Sequence, residues 1–180
     1  MKKKLMAMLL AACAALGAWA ANYTISNLGE LRTFMENAHN APYYEGDTVT
    51  LTADIDCEGG QFTSGYSPVG TVFKGTFDGQ GHKIYNFSNK GNSAGTEQDA
   101  KYGVAMFDIA RDGAVIKNLT LEGDFDDGAA QPDYAAAFVA YAIGKTDGTL
   151  GLTLENCHFI GSVTNYRAAA AFVEIGRAHV

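Results

Sequence analysis

The sequence predicts an all-β chain: a β-solenoid of about four rungs with an N-terminal amphipathic capping helix. Three observations predict it. An eight-residue pattern recurs four times, a phenylalanine recurs on nearly the same period, and glycines run through the repeating units. There are 21 glycines, and each inside a helix would cost about 1 kcal/mol, which disfavours a helical repeat.

The pattern is apolar or Thr, any residue, Asn or Asp, apolar, any residue, mostly apolar, any residue, Gly. Its copies are TADIDCEG (52–59), IYNFSNKG (84–91), IKNLTLEG (116–123) and LENCHFIG (154–161). The polar positions are Asp54, Asn86, Asn118 and Asn156, at steps of 32, 32 and 38 residues. Gly59, Gly91, Gly123 and Gly161 follow five residues later. A self-similar period in this range means stacked units that share one core. Apolar residues at +1 and +3 have strand periodicity, whereas the step from −2 to +1 requires a bend at the polar residue. Asn and Asp tolerate left-handed backbone and bond their own neighbours, which suits them to that bend. Glycine at +5 offers a second corner.

A second ladder is expected from Phe77, Phe107, Phe138 and Phe172, at steps of 30, 31 and 34 residues. Small residues precede three of them, in GVAMF, AAAF and AAAAF. One aromatic per rung beside small residues implies a flattened interior. The longer 38-residue step fits an inserted polar loop, GKTDGTLG (144–151).

The chain begins MKKKLMAMLLAACAALGAWA. Three lysines, an apolar run and Ala-Trp-Ala form a secretory signal peptide, residues 1–20, cleaved after Ala20. The run is shorter than the roughly 20 residues a membrane span needs. Leu10-Ala-Ala-Cys13 also resembles a lipoprotein cleavage box, but Ala14, Ala15 and Leu16 continue apolar where a polar tether would be expected. Loss of Lys2, Lys3 and Lys4 leaves ten basic against twenty acidic residues, a charge of −10. Such a surface is poorly matched to nucleic acid, and no basic amphipathic helix points to a membrane surface.

Residues 21–49 form the expected N-terminal cap. Within NLGELRTFMENA, Leu28, Leu31, Phe34, Met35 and Ala38 share one helical face. Asn27 can cap that helix, with Glu30 reaching back. Residues 50–173 form the expected repeats. Cys57 and Cys157 lie about three rungs apart, roughly 14 Å at the usual strand spacing, too far for a disulfide; both read as small buried apolar residues.

The run FKGTFDGQGHKIYNF, with IKNLTLEG and LENCHFIGSV further on, resembles the GLUG-motif proteins, and LTADIDCEG resembles their opening strand. That resemblance spans about 28–172. It implies a right-handed parallel β-helix in a bacterial protein that is secreted or on the cell surface, often adhesin-like. The motif is structural and says little of activity. Here its Gly-Leu-Val-Gly-like strand is replaced by the alanine-rich YAAAFVAY (134–141) and RAAAAFVE (167–174).

The last residues, EIGRAHV, break the pattern inside the fourth phenylalanine unit. They match the translation of a common sequencing adapter. Residues 174–180 are therefore expected to be foreign, and the chain to be the N-terminal part of a longer protein.

No constellation of catalytic, cofactor-binding or metal-binding residues stands out. Asp54 and Asp56 read as a bend and a solvent-facing residue rather than a glycosidase pair. Asp124, Asp126 and Asp127 lack calcium-loop spacing. His39, His82 and His158 are scattered, with no HExxH, and there is no GxSxG. The glycines of DGQGH lead into a strand, so no helix N-terminus backs them. Tyr43, Tyr44, Tyr66 and Tyr102 are candidates for stacking on sugars. The sequons at Asn86 and Asn118 coincide with the expected corners, and a third lies at Asn22. The expected function is a non-enzymatic scaffold for adhesion or ligand interaction. Its partner would be an extracellular host protein or glycan, met through loops 92–101, 124–133 and 144–151 or a lateral strand face. The alternative is the non-catalytic N-terminal region of a larger secreted peptidase or polysaccharide-degrading enzyme.

Overall fold

A computed structural model describes residues 20–39, 44–60, 72–90, 104–126, 135–144, 147–148, 151–164 and 169–177. Chain order is β1 (Asn22–Ile25), α1 (Leu28–His39), β2 (Thr48–Leu51), β3 (Ile55–Asp56), β4 (Val72–Phe73), β5 (Thr76–Asp78) and β6 (Lys83–Lys90). Then follow β7 (Phe107–Arg111), β8 (Ala114–Asp126), β9 (Ala135–Ala136), β10 (Val139–Ile143), β11 (Leu152–Thr164), β12 (Ala169–Ala170) and β13 (Val173–Arg177).

The described strands form three parallel sheets. The largest has seven strands in the order β1-β2-β5-β8-β6-β3, with β11 paired to β8. A four-stranded sheet runs β13-β10-β7-β4, and β12 pairs β9. Strand β8 organises the large sheet. Thr76–Asp78 of β5 pair with Val115–Lys117, and Lys83–Lys90 of β6 pair with Thr120–Asp126. Thus β5 and β6 lie end to end along one edge of β8. Strand β11 runs the whole length of the other edge, from Leu152 against Ala114 to Thr164 against Asp126.

The all-β expectation, a right-handed parallel β-helix of about four rungs, is therefore corrected. The described residues form a seven-stranded parallel sheet, two smaller parallel sheets and a helix, an α/β-like arrangement. Two physical reasons account for the difference. First, α1 is part of the core: Leu31, Phe34 and Ala38 are buried in the same cluster as Val49, Phe77, Phe107 and Ile116. The Phe34 ring lies 4.9 Å from Tyr44, 5.4 Å from Phe77, 5.9 Å from Phe73 and 6.1 Å from Phe107. Second, the four sequence copies are structurally unequal. Copies three and four are 13-residue strands, whereas the first contributes only the two residues of β3.

Helix α1 starts where its polar residues cap it. The Glu30 N–H donates to Asn27 Oδ1 at 3.0 Å, and the Ser26 N–H donates to Glu30 Oε2 at 2.7 Å. The Ser26 hydrogen bonds hold the Glu30 carboxyl below its usual range. Ala105, Ala136 and Ala140 form a small buried cluster of their own. Strand β13 carries the pairing past residue 173, with Ile175 opposite Tyr141 and Arg177 opposite Ile143. Parallel backbone pairing of this kind accepts almost any sequence without proline.

Candidate functional site

The polar residues at the repeat bends occupy two columns, and neither is the one the sequence spacing suggests. In the first column Asn118 and Asn156 have left-handed backbone, with φ of 52° and 49°. The Asn156 amide donates to Asn118 Oδ1 at 3.1 Å, and the Asn118 amide donates to Asp78 Oδ1 at 3.1 Å. Asn86 is absent from this column. It lies at a bulge where the register slips between Ile84 and Phe87 against β8. With φ of 53°, it belongs with Glu58, whose φ is 58°. The Gly59 N–H donates to Asn86 O at 3.1 Å, and the Asn86 amide donates to Asp56 Oδ1 at 2.9 Å.

Asp54 is the member that the structure moves out. It shares no column with the three asparagines, and its exposed carboxylate accepts the Lys83 N–H at 3.0 Å. His82 Nδ1 lies 3.1 Å from the same oxygen. The Lys83 N–H is the main reason its carboxyl sits below the usual range, with His82 adding to it. The four-residue offset between Asp54 and Glu58 could not be read from spacing, because the turn at 79–82 and the bulge set the register.

The glycines divide in the same way. Gly59 and Gly161 have positive φ, of 64° and 145°. Gly123 and Gly161 are required by close approach: a Cβ on Gly123 would strike the Phe87 carbonyl oxygen, and one on Gly161 would strike that of Gly123. Gly91 lies outside the described residues.

The phenylalanines are not one ladder either. Phe77 is in the seven-stranded sheet, opposite Val49 and Ile116. Phe107 is in the four-stranded sheet, opposite Val139. Phe138 and Phe172 stack on each other, with ring centroids 5.5 Å apart. A different column was hidden in the sequence: Phe87 and Phe125 stack at 5.3 Å, and Phe125 meets Phe159 at 6.0 Å. These three occupy different positions of the repeat, so no pattern search would align them.

The residue that sequence reasoning missed is Asp78, which is 7% exposed. Its oxygens accept from the Gln80 N–H at 3.0 Å, from Gln80 Nε2 at 2.8 Å and from the Asn118 amide, and Lys117 Nζ lies at 3.3 Å. Burial pushes its pKa up, but Asn118, the Gln80 N–H and Lys117 outweigh it and hold it below the usual range. The only sequence signal was its place in the turn Asp78-Gly-Gln-Gly.

The other candidates scatter. Tyr44 is a core residue, edge-on to Tyr23 at 4.9 Å, so it offers no face to a sugar. Tyr43, Tyr66, Tyr102, Asp127 and residues 92–101 lie outside the described residues, as does the His39 side chain. Asp124 accepts the Ser162 hydroxyl at 2.6 Å, and His158 is exposed. Cys57 and Cys157 are both free. Burial pushes the Cys57 thiol up to about 12 and raises that of half-buried Cys157. Among the described residues no group of three His, Cys, Asp or Glu comes together as a metal site, and no helix is long and apolar enough to cross a membrane.

What the columns do is hold strands in register and leave β11 as an outer strand. Among the described residues β11 is paired on its β8 side alone. Its apolar residues Leu154, Cys157, Phe159 and Val163 remain partly exposed, while their partners Ile116, Leu119, Leu121 and Phe125 are buried. Comparison of the chain with family models, with curated proteins and with solved structures found no match.

Proposed function

We propose that this chain is a secreted or cell-surface protein that acts as a non-catalytic scaffold for adhesion or ligand interaction, meeting an extracellular protein or glycan. The observation that carries the reading is the partly exposed apolar row of β11 beside a strand edge left unpaired among the described residues, joined to the secretory leader expected over residues 1–20. Contiguous exposed apolar patches mark contact sites. The polar side chains support it from the other direction: Asp54, Asp56 and Asp78 are each engaged by neighbouring amides, which suits carboxylates that hold backbone in place. The leader gains support from Ala21, whose nitrogen lies 2.7 Å from Asp47 Oδ1. Cleavage after Ala20 would turn that nitrogen into an α-ammonium and the hydrogen bond into an ion pair.

The test uses the chain beginning at Ala21, presented to panels of extracellular-matrix proteins and glycans, and in parallel to polysaccharide and peptide hydrolysis assays. Saturable binding without turnover is expected. Turnover lost on substitution of a single carboxylate would overturn the reading.

A further inference from the structure

We infer that Asp47 is the acceptor for the α-ammonium of a mature chain that begins at Ala21, so that leader removal at the Ala20–Ala21 bond locks the first strand onto the large sheet. The inference rests on the secretory part of the reading above and is independent of what the scaffold binds.

Two independent observations meet at that one bond. The sequence marks it: the apolar run ends in Ala18-Trp19-Ala20, small residues at the positions a leader peptidase reads. The fold marks it as well. Ala20 is exposed, and the sheet takes hold of the chain at Ala21. The Ala21 nitrogen lies 2.7 Å from Asp47 Oδ1 in a partly buried contact, and the Ala21 carbonyl accepts the Thr48 N–H at 3.0 Å. Ladder pairing of β1 with β2 starts at the next residue, with Asn22 opposite Thr48.

The acceptor is held independently of the terminus. Asp47 closes a tight corner in which Tyr44 and Gly46 have positive φ, of 61° and 77°. Its N–H donates to the Tyr44 carbonyl at 3.1 Å, and its carbonyl accepts the Thr76 N–H at 2.8 Å. A Cβ on Gly75 would strike both the Tyr44 and the Asp47 carbonyl oxygens, so the corner is packed closely against the start of β5. A charge that meets this carboxylate does not have to order it first.

Position along the strand selects this nitrogen. In an extended strand successive residues turn their N–H groups to opposite edges, and Ala21 presents both its polar groups toward β2. A chain that began at Asn22 would lose the carbonyl contact to Thr48 and turn its ammonium away. One that began at Ala20, or with a lipid at Cys13, would keep a neutral amide at Ala21. Hydrolysis of the Ala20–Ala21 bond adds water: the new carboxylate leaves with Ala20, and the Ala21 nitrogen takes up protons to become an ammonium. The existing hydrogen bond then becomes charge-assisted, and such bonds are roughly twice as strong.

The test has two arms. In the first, the full chain is expressed with its own leader in an exporting bacterium, and the exported protein is sequenced from its N-terminus. A start at Ala21 is expected. A different start overturns the inference, and a chain that is never exported overturns the secretory reading with it. In the second arm, chains beginning at Ala20, Ala21 and Asn22 are released from an upstream fusion without leftover residues, and their α-amines are acylated near neutral pH. A neighbouring carboxylate favours the protonated, unreactive form of an amine. The Ala21 chain should react about threefold or more slowly than the other two. Asp47→Asn should abolish the difference. Salt at about 1 M, where the screening length is about 3 Å, should shrink it without any substitution. Equal rates for the three chains, or a difference that survives both Asp47→Asn and salt, would overturn the inference. Empty binding panels would count against the scaffold and not against the pair.

Discussion

The chemistry of this chain at the residue scale is that of small polar groups holding strained backbone. Asn118 is the centre: it adopts left-handed φ and links Asn156 to Asp78. Asn118→Val should destabilise the fold by about 1–3 kcal/mol through φ strain and the lost amide bonds, and Asn118→Gly by less; urea titration separates the two. Asp78 makes stability depend on acidity. Its folded pKa lies below the ordinary value, so its ionised form contributes stability above the unfolded pKa, near 4. That contribution is lost as pH falls through the folded value. Asp78→Asn should therefore weaken the chain near pH 7 and flatten the acid limb of its stability curve between about pH 5 and 2, measured by denaturant midpoints across pH. At the other end of the chain, the Ala21–Asp47 contact makes a processing-dependent prediction. Asp47→Asn should cost the chain that begins at Ala21 more than the chain that begins at Met1. The expected difference is on the order of 1 kcal/mol or less for a partly screened ion pair, read as a difference in thermal midpoints.

At the scale of elements, α1 is tied to the sheets by one side chain more than by any other. Phe34 meets rings from the segment after α1 and from β4, β5 and β7. Phe34→Ala should cost about 3–5 kcal/mol, the usual range for a buried aromatic, and Asn27→Ala about 1 kcal/mol through its lost cap. Circular dichroism with denaturant titration gives both. The helix was legible from its apolar face, because α1 is long enough to show a 3.6-residue period. The copies of the repeat were legible as strands, since burial in β8 follows the sequence: Ile116 in, a bend at Asn118, then Leu119 and Leu121 in. Their register was not legible. Alignment by motif put Asp54 over Asn86, whereas the chain puts Glu58 there, because the bulge in β6 absorbs the difference.

For the whole molecule, the two faces of β11 set the behaviour. One edge is bonded to β8, while Ile160 of β11 is 56% exposed and Phe172 41%. An edge of this length whose one carboxylate is Glu155 invites self-association. Ile160→Lys should reduce concentration-dependent association without changing the thermal midpoint by more than a degree or two, since the site is exposed; light scattering against concentration checks it. Thiol labelling tests the burial of the core in the same molecule. Cys157 should react with an aromatic disulfide reagent well before Cys57, whose thiol is fully buried and pushed up to about 12.

The sequence by itself determined the local preferences: which residues alternate into a core, where a left-handed bend falls at Asn86, Asn118 and Asn156, and where α1 begins. These are short-range properties, set by side-chain period, by φ and by capping within a few residues. The tertiary structure alone decided how the segments sort into sheets of seven, four and two strands, which phenylalanines meet, and that a helix enters the core. It also decided that Asp78, outside the four copies of the repeat, anchors the amide column. Those outcomes depend on register between residues 26 to 39 positions apart, and a one-residue slip in any ladder reverses which side chains face inward.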